Sequence, residues 1–115
     1  VSGNALTGNY VGMSVDAYPG DNDNLQVTGN AFDNELEDLG IGAAGGTSSG
    51  AIEGNTFTKG IFDYDPADNA ALVGDNTIDQ PVVVTVPGTS TQMGFGTIQE
   101  AIDAAPAGAA SIASW

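Results

Sequence analysis

A short phrase returns four times along this chain: Val1-Ser-Gly-Asn4-Ala-Leu6, Val27-Thr-Gly-Asn30-Ala-Phe32, Ile52-Glu-Gly-Asn55-Thr-Phe57 and Val73-Gly-Asp-Asn76-Thr-Ile78. Each copy sets a β-branched residue three before an Asn and a large apolar residue two after it, and the Asn residues follow one another at 26, 25 and 21 positions. A repeat of that length is one supersecondary unit, too small to bury an apolar face by itself, so neighbouring copies must stack to make a common core. The phrase constrains the architecture far more than it constrains an activity.

The Gly-Asn pair inside the phrase suits a tight bend, because Gly and Asn tolerate positive φ better than other residues. A second apolar run follows each Asn: Val11-Gly-Met13-Ser-Val15, Leu39-Gly-Ile41, Ile61-Phe62 and Val82-Val-Val84-Thr-Val86. Alternation in the first, second and fourth runs predicts strands. The expected fold is an all-β solenoid with two strands per coil and an Asn at each corner. In it Val27, Phe32, Ile52, Phe57, Val73 and Ile78 fill the bore, while Asn4, Asn30, Asn55 and Asn76 form a ladder of side-chain amides. A two-sheet β-sandwich with turn signals at similar spacing is the competing reading.

Beyond Pro87 the period changes. Ile98, Ala101, Ile102 and Ala105 fall on one face of a helix, and Thr97 and Glu100 have the spacing of a capping box. The resulting organisation is coils over 1–86, a linker over 87–96, an amphipathic capping helix over 97–106, and a terminal strand or linker to a neighbouring unit over 107–115. A helix of about ten residues persists only when its apolar face docks.

Fifteen Asp and Glu face a single basic residue, Lys59, and with no Arg and no His the net charge is −14. Phosphate binding draws on Lys and Arg, so nucleic acid is excluded as an expected partner, and an anionic membrane surface is disfavoured for the same reason. Hydrophobic content is an ordinary 41%, which argues for a folded body with its acids outside rather than a disordered chain. Cysteine is absent, removing disulfides and thiolate metal sites. No apolar run is long enough for a membrane span. The chain opens with Val inside a repeat, as expected of a segment of a longer product.

Two stretches carry a resemblance to a known family. The V-x-G-N-x-F pattern resembles the repeats of right-handed parallel β-helices of the pectin-lyase-like superfamily, including haloarchaeal surface proteins, over residues 1–86. The phrase Phe95-Gly-Thr-Ile-Gln-Glu-Ala-Ile-Asp-Ala-Ala105 is similar to the helix that caps the N-terminal end of many such proteins, although here it follows the coils. The resemblance implies a right-handed parallel β-helix of about four coils. The near-total replacement of Lys and Arg by acids is similar to proteins of high-salt organisms, with an acidic extracellular protein of a marine bacterium as the alternative.

The chemistry that the resemblance implies is mostly missing. Polysaccharide lyases of this fold use an Arg or Lys base beside calcium, and Lys59 is the sole candidate. Glycoside hydrolases of this fold show clustered Asp with His and Arg, which this chain lacks. No catalytic residue is therefore expected. Asp21 and Asp23 in one loop, with Asp63, Asp65 and Asp68 in another, are candidate calcium ligands, since calcium takes six to eight oxygens, although solvated acidic loops explain them as well. No other cofactor is expected. Tyr10, Tyr18, Tyr64 and Trp115 would make a carbohydrate-stacking strip if they shared a face. These observations lead to a non-catalytic structural or assembly module of an extracellular filament or cell-surface layer, homo-oligomeric by end-to-end stacking. The alternatives are a carbohydrate-binding or vestigial polysaccharide-active domain and a calcium-dependent adhesin.

Overall fold

The computed structural model describes residues 1–43, 45–69, 71–104 and the backbone of residues 111–114. Strands β1 (Ala5–Thr7), β2 (Val11–Asp16) and β3 (Asn22–Thr28) are followed one repeat later by β4 (Ala31–Asp33), β5 (Glu37–Gly42) and β6 (Ser48–Glu53). Then come β7 (Thr56–Phe57), β8 (Gly60–Asp63), a single helical turn α1 (Pro66–Asn69) and β9 (Thr77–Ile78). The chain finishes with β10 (Val82–Thr85), β11 (Gln92–Phe95), helix α2 (Ile98–Ala104) and β12 (Ser111–Ser114).

Pairing over the repeats is parallel. β1, β4, β7 and β9 form one sheet, with Ala5 opposite Ala31, Ala31 opposite Thr56, and Thr56 opposite Thr77. β2, β5 and β8 run side by side, Met13 next to Leu39 and Leu39 next to Ile61. β3 and β6 make a two-stranded sheet. Each corner turns just before its Asn, where Gly3, Gly29 and Gly54 adopt φ of 65°, 65° and 67°, a left-handed conformation open to glycine without steric cost. The fourth copy carries Asp75 in place of that glycine.

The side chains expected in the bore do meet. Val27, Phe32, Ile52, Phe57 and Ile78 are buried together with Leu39, Ile41, Ile61, Leu72 and Val83, while Val73 is partly buried against them. Phe32 and Phe57 stack with ring centroids 4.8 Å apart, as neighbours one repeat apart on the same sheet must.

The expected fold class, a right-handed parallel β-helix solenoid of about four coils, is corrected by the structure. The strands gather in three sheets, one of them mixed parallel and antiparallel, and the chain does not close into a solenoid. Two local causes are visible. After β8 the chain makes the α1 turn where a third strand of the β3–β6 sheet would lie, and only the isolated bridge between Ile52 and Val73 remains of that ladder. After β9 the run Val82–Thr85 folds back around Pro87-Gly88, with Gly88 at φ 72°. Its partner β11 then inserts between β10 and β8, antiparallel to both, with Gln92 opposite Ile61 and Met93 opposite Gly60. Gly60, at φ 109°, leaves no space for a side chain against the Gln92 carbonyl. β12 pairs antiparallel with the far side of β10, giving the order β12-β10-β11-β8-β5-β2. Residues 87–96, read as a linker, thus contain a turn and a strand of the largest sheet.

Helix α2 starts as its capping box predicts: the Glu100 N–H donates to Thr97 Oγ1 (3.1 Å), and the Thr97 N–H donates back to Glu100 Oε2 (3.1 Å). Among the described residues of its expected apolar face, Ala101 docks. Ala101 is fully buried against Val82 and Val84, whereas Ile98 and Ile102 stay 53% and 54% exposed. Ala105 lies outside the described residues, as does Trp115.

Candidate functional site

The four predicted amides form a continuous row. Asn4, Asn30 and Asn55 each donate from the backbone N–H and from Nδ2 to the Oδ1 of the next Asn, at 3.0 and 3.2 Å, 2.9 and 3.0 Å, and 3.0 and 2.9 Å respectively. The second Nδ2 proton goes to carbonyls at the corner, so that Asn55 also reaches Val27 O at 2.8 Å and Glu53 O at 3.2 Å. Asn30 and Asn55 are buried, and burial makes such bonds expensive to leave unmade, about 1–3 kcal/mol per orphaned group.

A second row runs alongside. Asn9 donates from N–H and Nδ2 to Asn34 Oδ1 at 3.2 and 3.1 Å, and Asn34 donates in the same way to Asp38 Oδ1 at 2.9 and 3.0 Å. The other carboxylate oxygen of Asp38 accepts the N–H groups of Lys59 (2.6 Å) and Gly60 (3.1 Å). Asp38 is fully buried, and a carboxylate suits the place because donors converge on it from both sides. Sequence reasoning missed this row. The 25-residue spacing of Asn9 and Asn34 matches that of Asn30 and Asn55 and was the available signal.

The five candidate calcium ligands are not brought together, and among the described residues no three acidic side chains converge on a common point. Three of them tie loops to neighbouring backbone instead. Asp21 accepts from the Thr47 N–H at 2.7 Å, and Asp65 from the Ala43 N–H at 2.7 Å. Asp63 is buried and accepts from the Ser90 N–H (3.1 Å), the Asp65 N–H (3.2 Å) and Asn69 Nδ2 (2.9 Å). Asp23 and Asp68 are exposed.

One concavity collects side chains of chemical interest. A groove of about 310 Å³ lies over β8 and β11, between the β4–β5 loop and the end of α2, and is lined by Leu36, Phe62, Tyr64, Met93 and Phe95 with Lys59 beside them. Tyr64 and Phe62 meet at 4.8 Å between ring centroids. Tyr64 lies along the β5 backbone at Gly40, where a Cβ would come 3.3 Å from its ring. Its hydroxyl donates to Glu37 Oε2 at 2.7 Å. That bond to a carboxylate, with some desolvation and the Glu37 charge adding to it, pushes the Tyr64 pKa up to about 12. A more polar extension of about 450 Å³ shares Lys59 and Phe95 and is edged by Glu35, Glu100 and Asp103. Tyr10 and Tyr18 are not among the residues lining this groove, so of the described members of the expected aromatic strip Tyr64 alone lines it, beside Phe62.

Comparison of the chain with family profiles, with curated proteins and with solved structures finds no match, which leaves the pectin-lyase-like resemblance without support or exclusion from that side. No described helix is long and apolar enough to cross a membrane.

Proposed function

We propose that this chain is a non-catalytic structural module of an extracellular filament or cell-surface layer, and that copies associate through the open edges of their sheets. The observation that carries the reading is the position of β1, β2 and β3. Each is an edge strand of its own sheet; Val1 to Gly3 pair with β3 at Gln26 and Thr28, while the outer edges of β1 and of β2 from Val11 to Val15 face no neighbouring strand among the described residues one repeat before β4 and β5. Open edges of this kind pair with other strands unless charges, bulges or a covering element prevent it. Val1, Tyr10 and Val11 are exposed on these first-repeat segments, and the acidic surface is compatible with association only where salt screens it.

Sedimentation across a salt series tests this. The protein is expected to be monomeric at low ionic strength and to form larger species toward molar salt. Val11→Lys, which places a charge on the β2 edge while lowering the net negative charge, should abolish them. A protein that stays monomeric at every salt concentration, or a variant that associates as the parent does, would refute the proposal.

A further inference from the structure

We infer that the groove over β8 and β11 is a docking site for a basic, apolar peptide segment of a partner protein. The site is separate from the open strand edges and stands whether or not the chain self-associates. Its floor and wall are apolar: Leu36 is 56% and Tyr64 59% exposed, and Met93 and Phe95 are partly buried beneath them. Large apolar side chains held exposed around a concavity mark binding surfaces more often than singly scattered ones do.

Charge selects the occupant. Glu35 and Glu37 stand on one rim and Glu100 and Asp103 on the other, against the single ammonium of Lys59, within a chain whose net charge is −14. An anionic ligand, or a second copy of this chain, would enter against that field. A segment carrying Lys or Arg would be drawn along it, and such attraction chiefly raises the rate of encounter. Tyr64 supplies what a cation with an apolar neighbour requires. Tyr64 remains 59% exposed although it packs against Phe62, which leaves aromatic surface for a guanidinium or ammonium, and its hydroxyl is already committed to Glu37, which holds that carboxylate beside the ring.

Calorimetric titration of the full chain with a hexapeptide alternating arginine and leucine tests this. The same peptide with glutamate for arginine, and a neutral hexasaccharide, serve as the other ligands. One-to-one binding of the basic peptide is expected, weakened at least about tenfold by Tyr64→Ala and strengthened several-fold by Lys59→Glu, with Asp21→Asn, remote from the groove, changing it by less than about twofold. Tyr64 is exposed, and the thermal transition of each variant verifies that it is folded. Equal binding by the Tyr64 variant, or losses with Asp21→Asn as large as with the groove variants, would reduce the effect to unspecific charge attraction and overturn the inference. So would the absence of binding, or tighter binding of the acidic peptide or the hexasaccharide, the last of which would reassign the groove to carbohydrate.

Discussion

Asn55 shows why the repeat tolerates so little at its corner. Its Oδ1 accepts two donors from Asn30, and its Nδ2 donates to Asn76 and to the Val27 and Glu53 carbonyls. Asn55→Leu removes these bonds while leaving the Asn30 donors and the Val27 carbonyl enclosed. Stability should fall by about 2 kcal/mol or more, read from denaturant unfolding; an unchanged midpoint would mean that the row adds nothing. Tyr64 offers a different residue-scale test. With its pKa pushed up to about 12 by the bond to Glu37, against an ordinary value of about 10, the folded state favours the protonated phenol. The stabilisation is complete below pH of about 10 and is lost as pH rises through about 12. In a Tyr10→Phe, Tyr18→Phe background the phenolate absorbance should therefore appear late, and Glu37→Gln should move it toward the ordinary value.

Among the elements, the parallel ladders were legible and the antiparallel part was not, for reasons that lie in particular residues. The phrase around Asn4, Asn30, Asn55 and Asn76 combines a glycine corner, an amide and two apolar positions, and each part serves one physical need in the stack. By contrast, Gln92-Met-Gly-Phe95 has no alternation that announces a strand. It becomes one because the Pro87-Gly88 turn returns the chain to the free edge of β8. The run Val82-Val-Val84 reads equally well as parallel or antiparallel, since both of its faces are buried. The second amide row is harder to read from sequence because its third member, Asp38, follows Asn34 by four residues instead of a full repeat. Helix α2 begins at a closed capping box, while Ile98 and Ile102 of its periodic face stay exposed. Ile98→Lys and Ile102→Lys should each change stability by no more than about 0.5 kcal/mol, whereas Ala101→Leu should cost about 1–3 kcal/mol by overpacking against Val82 and Val84. Equal sensitivity at all three positions would show that the helix docks as its pattern suggests.

At the level of the whole molecule, two features oppose each other: buried amide rows that stitch successive strands, and a net charge of −14 that pushes the body apart. Screening shortens from about 10 Å at 0.1 M salt to about 3 Å at 1 M. The melting temperature should thus rise by about 5 °C or more across that range in sodium or potassium chloride alike, and a flat or falling curve would remove repulsion as the dominant electrostatic effect. The stitching itself is open to one direct observation, hydrogen exchange at the asparagine side-chain amides. If the two rows hold the sheets together, the Nδ2 protons of Asn30, Asn34 and Asn55 exchange only through global unfolding, while those of the exposed Asn24 exchange at the rate of a free amide. Rapid exchange at all four would contradict a structure built on buried amide rows.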